Sequence, residues 1–430
     1  MTIAIDLSPL DSAHRMRGIG YTLINIIDNI SSEARKGHKF IFFLPPGAES
    51  VLKLLKLDGI NYDIRLLQDE SNYNRKRSKK KLQILGSLYS KFIDLRKVYF
   101  GDAAYGDLSD IDVFLQTDQS KYLPNKRGVK KILIIYDIIP FVLEWEYLWS
   151  YETARLRGYR IRSAVRCHVR RILYAHQLRI KSKRADKLIA ISECTREDFI
   201  EKLGIHPDKI QVATLGINLP DAYSKAPSLV RYIPTSWDYS PRHFKFNSSD
   251  SYILYIGGAD SRRKIKDLVC AFNHLKAEGH KLKLVLAGDS MQGPLNISTI
   301  ETQLALSNSS YLEDIIFMGF VDDSQRDWLY ANALALVFPS KYEGFGLPVL
   351  EAMIHRCPVI AYENKAVREV AHDYPIYAKD YKGIMQAVTK LLETPQDELE
   401  NIRNLGYAHA KKYDWRNTTK KILNALEPSK

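Results

Sequence analysis

The 430 residues, 45% hydrophobic and 26% charged, supply apolar material for two cores of ordinary size and leave no basis for global disorder. A net charge of +13 and a pI near 9.3 call for an acidic counterpart: nucleoside diphosphates, an anionic membrane surface or nucleic acid. The sequence has no zinc-finger spacing, RNA-binding aromatic signature or basic-leucine heptad, so nucleic acid is set aside as a partner.

The N-terminus has no basic segment followed by an apolar stretch and carries Asp6 in its first apolar run, so a cleaved secretory signal is not expected. The most apolar window, 132–142, is too short for a membrane helix and contains Asp137. Four cysteines at 167, 194, 270 and 357 have neither metal-ligand spacing nor the density of a disulfide framework, which fits reduced thiols in a cytoplasm.

Short apolar runs predict strands over 3–7, 39–44, 112–115, 131–136, 187–191, 210–213, 253–256, 282–287, 315–318, 334–338 and 359–361, with amphipathic stretches between them. This rhythm predicts an α/β fold of doubly wound parallel sheets, with ligands at the carboxyl ends of the strands. It breaks over 221–250, where Pro227, Pro234, Pro241 and several serines predict a linker between a domain of residues 1–220 and a domain of residues 251–413. Residues 415–426 are helical in pattern.

Arg17-Gly18-Ile19-Gly20 follows the first strand and opens a helix, where backbone amides can approach an oxyanion; a plain turn is the alternative. It lacks the third glycine of a dinucleotide fingerprint, and the chain has no Walker A sequence, which argues against dehydrogenase and ATPase activity. Residues 79–99 put Leu82, Leu85, Leu88, Tyr89, Phe92, Leu95 and Tyr99 on one helical stripe beside lysines, suited to an acidic bilayer or to packing on the chain's own sheet. Asp110-Ile111-Asp112 reads as structural rather than metal-binding, since it opens a predicted strand. Tyr136-Asp137 ends a strongly apolar strand. Arginines 155, 157, 160, 162, 166, 170 and 171 form a second basic stretch, and Ser192 reads as a helix cap with Thr195 and Asp198 completing a capping box.

The strand over 252–256 ends in Gly257-Gly258 and is followed by Arg262, Arg263 and Lys264, whose guanidinium forks suit phosphate oxygens. The last motif, Pro339 to Met353, joins an apolar strand to a helix through a glycine turn bracketed by two glutamates. Gly344 and Gly346 permit a tight turn, Pro348 fits the first helical position, and the unpaired amides around Gly346 and Leu347 would receive a diphosphate. Glu351 would then turn aside to ribose hydroxyls, as the acidic residue of a dinucleotide fold does, with Glu343 on the side of a transferred sugar.

Glu343-Gly-Phe-Gly-Leu-Pro-Val-Leu-Glu351 resembles the signature of the GT4 family of retaining glycosyltransferases. Ile3–Leu7, Arg17–Tyr21, Ile135–Pro140, Leu188–Ser192, Tyr255–Arg263 and Glu369-Val370 are similar in order, so the likeness covers nearly the whole chain. It implies the GT-B fold, two Rossmann-like domains facing a central cleft. The first would bind the acceptor, and the second the nucleotide sugar, with the C-terminal helix (414–430) packing back on the first. The implied reaction moves a hexosyl unit, with mannose or rhamnose favoured, from a nucleoside diphosphate sugar to a glycan or lipid-linked saccharide in cell-surface polysaccharide synthesis. The anomeric configuration is kept, the leaving phosphate helps to deprotonate the acceptor, and neither metal nor cofactor is called for. The cytoplasm, or the inner face of the membrane, is the implied location.

The implied catalytic residues are Glu343, Tyr136, Asp137 and Arg263. The implied donor-binding residues are Gly18, Gly20, Ser192, Gly258, Arg262, Arg263, Gly344, Phe345, Gly346, Leu347 and Glu351. Arg263 stands where the family commonly has lysine, Lys264 where it has asparagine, and Tyr136 where it generally has a histidine that contacts the sugar, often at its C6 hydroxyl. A 6-deoxy sugar such as rhamnose would not need that contact. The rival readings are a GT-B epimerase or hydrolase that uses no acceptor and a nucleotide-sugar-binding subunit whose catalysis has decayed.

Overall fold

The computed structural model describes residues 1–12, 15, 18–68, 102–121, 123–220, 229–232, 241–244, 251–297 and 299–427. Arg17, the 79–99 stripe and most of 221–250 therefore lie outside the described residues. The chain divides into two compact units, one of Met1–Gly216 with Asp414–Lys430 and one of Ile217–Tyr413.

The first unit is built on a parallel sheet ordered β3 (Tyr62–Leu66), β2 (Lys39–Leu44), β1 (Thr2–Asp6), β4 (Val113–Gln116), β5 (Lys130–Ile135), β6 (Lys187–Ala190) and β7 (Ile210–Val212). Central strands such as β2 read as unbroken apolar runs because both faces are covered, and Phe40, Phe42 and Phe43 are wholly buried. Each such side chain contributes about 1.5–3 kcal/mol on removal from water. Edge strand β3 differs: Tyr62, Asp63, Ile64 and Leu66 remain exposed, so no continuous apolar run marks it in the sequence. The order reverses between β1 and β4, the switch point at which open α/β sheets hold ligands.

The helix Trp415–Leu426 closes this unit. Trp415 packs edge-on against Tyr21 with ring centroids 5.8 Å apart, and Thr419 Oγ1 donates to the carbonyl of Ile26 at 3.3 Å. Backbone approach is closest at Gly216, where a Cβ would stand 2.2 Å from the Trp415 nitrogen. Lys130 Nζ donates to the carbonyls of Ala425 and Leu426 at 2.9 and 3.2 Å, meeting the negative end of the helix with a cation.

The second unit repeats the plan. Its parallel strands run β12 (Ile315–Gly319), β11 (Lys283–Ala287), β10 (Tyr252–Ile256), β13 (Ala335–Phe338), β14 (Val359–Tyr362) and β15 (Ile376–Ala378), again reversing beside its first parallel strand. Beyond β12 an antiparallel pair, β8 (Leu229–Tyr232) and β9 (Pro241–Phe244), extends the sheet. These strands fall within the 221–250 stretch assigned to a linker from sequence, and the second unit begins earlier, at Ile217. Proline is tolerated in β9 because it opens an edge strand, where it takes no ladder bond away. Every apolar run read from the sequence lies in a parallel strand of one sheet or the other.

Candidate active site

The switch point of the second sheet lies between β10 and β13. The chain leaving β10 turns through Gly257 and Gly258 into a short 3-10 turn, Ser261–Arg263, and the chain leaving β13 runs through Ser340 to Glu343. Lys341 N donates to the carbonyl of Arg262 at 3.0 Å, which ties the two loops together. Their side chains then meet on one carboxylate. Glu343 Oε1 accepts from Ser340 Oγ at 2.6 Å and from Arg262 Nη1, and Arg263 Nη1 stands 2.8 Å away as an ion pair without hydrogen-bond alignment.

Arg262 is fixed further by Tyr342 O at 2.9 Å and by Asp260 Oδ1, 3.0 Å from its Nε, while the Arg263 guanidinium lies over the Phe338 ring at 4.9 Å. Two guanidiniums are thus balanced by Glu343 and Asp260. The side chains of Glu343 and both arginines are only 9–12% exposed, so removing one partner outright would cost on the order of 3–5 kcal/mol.

Beyond Glu343 the chain passes through buried Gly344 and Phe345 to Gly346, the N-cap of the helix Leu347–Ile354. Gly346 has φ +112°, a conformation that disfavours any side chain although the surrounding space would admit a Cβ. The first turn of this helix receives no side-chain cap, so its amides and dipole end are presented at the loop. Pro348 is the second helical residue rather than the first, which costs nothing because an N–H there would still lie before the first i to i−4 bond of the helix.

Glu351, one turn on, is oriented from a neighbouring helix, Asp323–Asn332. Tyr330 donates to Glu351 Oε2 at 2.9 Å and stacks on His355, whose Nδ1 lies 2.6 Å from the Glu351 carbonyl and whose Nε2 lies 3.3 Å from Asp327. Burial pulls the Arg326 guanidinium down, but Glu351, Asp327 and Asp323 more than reverse this and hold it charged. Burial pushes the Asp327 carboxyl up, and His355 and Arg326 outweigh that and keep it low.

The candidates of the first unit sit at the ends of β5 and β6. Tyr136 is buried, its N–H donates to Gln119 at 2.8 Å and its carbonyl accepts from Thr195 Oγ1 at 2.7 Å. Its hydroxyl makes no well-aligned hydrogen bond although Thr22 lies close by, and burial with the nearby Asp118 outweighs Thr22 and raises its pKa well above the usual phenol range. Asp137 Oδ1 accepts from Ile139 N at 3.0 Å. Ser192 caps the helix Glu193–Leu203 through Thr195 N at 2.9 Å. Gly18 opens the helix Gly18–Asp28, with Gly20 buried in its first turn. Asp110 pairs with Arg65 at 2.5 Å and Asp112 accepts from Thr2 N at 2.7 Å, so both carboxylates serve the sheet.

Residues 239–409 match the family of glycosyl transferases group 1, a span that holds both glutamates and both arginines. The second unit is therefore a glycosyl transferases group 1 domain. Among curated relatives, the chain is 27% identical over 255 residues to O-antigen chain mannosyltransferase B of Escherichia coli, a match covering 56% of this chain and 61% of that protein. It is 25% identical over 296 residues to the serotype-specific mannosyltransferase WbdA of Escherichia coli, covering 67% of this chain and 32% of that one. Of solved structures, Anabaena HepE in complex with UDP and glucose is similar over 99% of both chains with a TM-score of 0.60 at 14% identity. WaaG, a glycosyltransferase involved in lipopolysaccharide biosynthesis, has a TM-score of 0.58 at 14% identity over 99% of this chain and 100% of that one. These likenesses are of fold, and the fold is GT-B.

The group 1 domain brings Glu343, Arg262 and Arg263 into one cluster and puts Glu351 on the adjoining helix. Tyr136, Asp137 and Ser192 form a separate set in the first unit. Sequence reasoning missed Asp260, Ser340, Tyr330, Asp327 and His355. Ser340, Asp260 and His355 were within reach as residues three before Glu343, two before Arg262 and four after Glu351, but Tyr330 and Asp327 become neighbours only through helix packing. The arrangement supplies cations, open amides and oriented carboxylate oxygens, the set needed to hold a diphosphate next to polyhydroxylated groups.

Proposed function

We propose that this chain transfers a hexosyl unit, with mannose as the first candidate, from a nucleoside diphosphate sugar to a glycan or lipid-linked saccharide of a cell-surface polysaccharide. The configuration at the anomeric carbon is kept and no metal is required. The observation that carries this reading is the shared carboxylate: Glu343 engages both arginines at the switch point, beside a helix start whose amides have no side-chain cap.

In this reading the diphosphate takes Arg262 and Arg263 from Glu343 and settles on the amides of Gly346 and Leu347. Charge complementarity supports the exchange, because the carboxylates that now neutralise the guanidiniums are single-charge partners and a diphosphate offers more oxygens to the same forks. Glu343, released, turns its oxygens to the hydroxyls and the developing positive charge of the sugar, and Glu351 receives the ribose. The bond from the anomeric carbon to the diphosphate breaks on the face where the acceptor oxygen bonds, and the acceptor proton passes to the departing phosphate. Negative charge growing on that phosphate meets fixed cations and amides.

Mannose is put first because the curated relatives named above are mannosyltransferases. Rhamnose is the second reading, favoured by Tyr136: a buried hydroxyl offers no imidazole to a C6 hydroxyl. Thermal shift with GDP-mannose, dTDP-rhamnose and UDP-glucose, followed by product analysis, tests both. The expected result is stabilisation by GDP-mannose and a glycosylated acceptor of unchanged anomeric configuration, formed equally with chelator present. Selective stabilisation by dTDP-rhamnose would move the sugar to the second reading. Free sugar or an altered nucleotide sugar as the main product would replace transfer by hydrolysis or epimerisation.

A further inference from the structure

We infer that the solvent face of the helix Ile161–Arg184 docks this chain on an anionic lipid surface. The inference rests on that face alone and not on the donor assignment. The helix has no acidic residue in 24 positions. Its inward side is given by Ala164, Ala175 and Leu178, which are buried. A helix that merely covers a sheet would keep its remaining apolar residues on that side. This one places Ile161, Val165, Val169 and Ile172 on the outward side, each 40–60% exposed. Their spacing of four, four and three residues makes them one continuous row.

A second row accompanies the first, one residue further round the helix: Arg162, Arg166 and Arg170, all exposed. The chain entering the helix continues the pattern, with Leu156 77% exposed, Trp145 half exposed, and the Arg157 guanidinium stacked between the Trp145 and Trp149 rings at 4.9 and 4.8 Å. Few carboxylates among the described residues oppose this charge: Glu144 is engaged by Arg171 at 3.3 Å, Glu146 lies beside Trp145, and Glu152 is the one acidic residue between 151 and 184.

An aliphatic row flanked by arginines, with tryptophan and arginine at one end, matches the two layers of a bilayer interface: acyl boundary for the isoleucines and valines, headgroup phosphates for the guanidiniums. Nucleic acid would use the arginines but gains nothing from four branched aliphatic side chains, since its bases are bound by stacking on planar groups. The occupant that uses both rows is an anionic membrane. Residues 79–99, whose stripe also suits a bilayer, lie outside the described residues, so the experiment has to tell the two segments apart.

The test is flotation of the full chain with phosphatidylcholine vesicles, with and without phosphatidylglycerol, at about 0.1 M salt. At least about tenfold more protein should float with the anionic vesicles, and raising the salt to about 1 M should reverse most of this. The triple variant Arg162→Glu/Arg166→Glu/Arg170→Glu should lose the anionic preference. Val165→Asn/Val169→Asn should weaken flotation with every charge in place. All these positions are exposed, so circular dichroism and nucleotide-sugar binding should match the parent, which keeps this result separate from the donor reading. Equal flotation on neutral vesicles, or unchanged flotation of both variants, would overturn the inference. So would loss of binding on Lys79→Glu/Lys80→Glu/Lys81→Glu alone, or preferential binding of single-stranded RNA over the vesicles.

Discussion

Two buried carboxylates, Asp6 at the switch point of the first sheet and Glu343 at that of the second, are held in opposite ways. Asp6, at the end of β1 and 1% exposed, accepts from Ser8 N at 2.8 Å, Tyr105 OH at 3.0 Å and Gln116 Nε2 at 3.2 Å, all neutral donors fixed in the core. Glu343, 7% exposed, is held by two guanidiniums. Neutral donors around Asp6 have no other use for their protons, so that site is finished as it stands. Cations around Glu343 can be transferred to a second anion, so that site can respond to a ligand. A buried polar cluster in an α/β sheet is thus read for function by asking whether its donors are charged and could be given up.

The largest effect should come from the responsive carboxylate. Glu343→Gln keeps the shape and the Ser340 contact but frees the arginines; transfer should fall by about 10²–10³-fold while free nucleoside diphosphate binds more tightly, read by steady-state kinetics and titration. Weaker nucleotide binding in this variant would break the comparison. Asp6→Ala should do the reverse, lowering stability by roughly 1–3 kcal/mol in denaturant titration with donor affinity unchanged, because it removes the buried acceptor shared by Ser8 N, Tyr105 and Gln116. If donor affinity fell with it, the first switch point would not be purely structural.

Tyr136→Phe sharpens the same contrast. Its hydroxyl makes no well-aligned hydrogen bond, so unfolding should show little loss of stability; contact with the sugar would make kcat/KM fall by about tenfold, the worth of one hydrogen bond. Unchanged kinetics would make Tyr136 a packing residue. The smallest effect concerns pH. His409 is buried against the Val370 carbonyl, and burial lowers its pKa. Above its ordinary value of 6.5 both folded and unfolded states are neutral, and as pH falls below that value the unfolded chain takes up the proton first, so stability declines. The melting temperature should drop from pH 7 to pH 5 less steeply in His409→Gln than in the parent. An identical slope would remove His409 from the account.

Much of this was legible in the sequence for a specific reason. Strands covered on both faces must be apolar throughout, so β1, β2 and β10 to β14 appear as unbroken runs. The strands that did not appear are edges or short: β3 leaves its side chains in solvent, β8 and β9 lie among prolines, and β15 spans three residues. The glycine turn between Glu343 and Glu351 was legible because its geometry is local. The partners of those glutamates were not: Arg262 and Arg263 reach Glu343 because β10 neighbours β13, and Tyr330 reaches Glu351 because one helix packs on another. Sequence order records neither adjacency. The sequence also assigned Glu343 and the arginines to different parts of a donor without indicating that they would be bonded to one another.

The most direct test of the central claim is calorimetric titration of the full chain, parent and Arg263→Ala, with GDP-, UDP- and dTDP-linked sugars. The account predicts saturable binding of at least one of them by the parent, weakened about tenfold or more when the guanidinium is removed. Absence of binding to all three classes, or equal affinity in parent and variant, would contradict it.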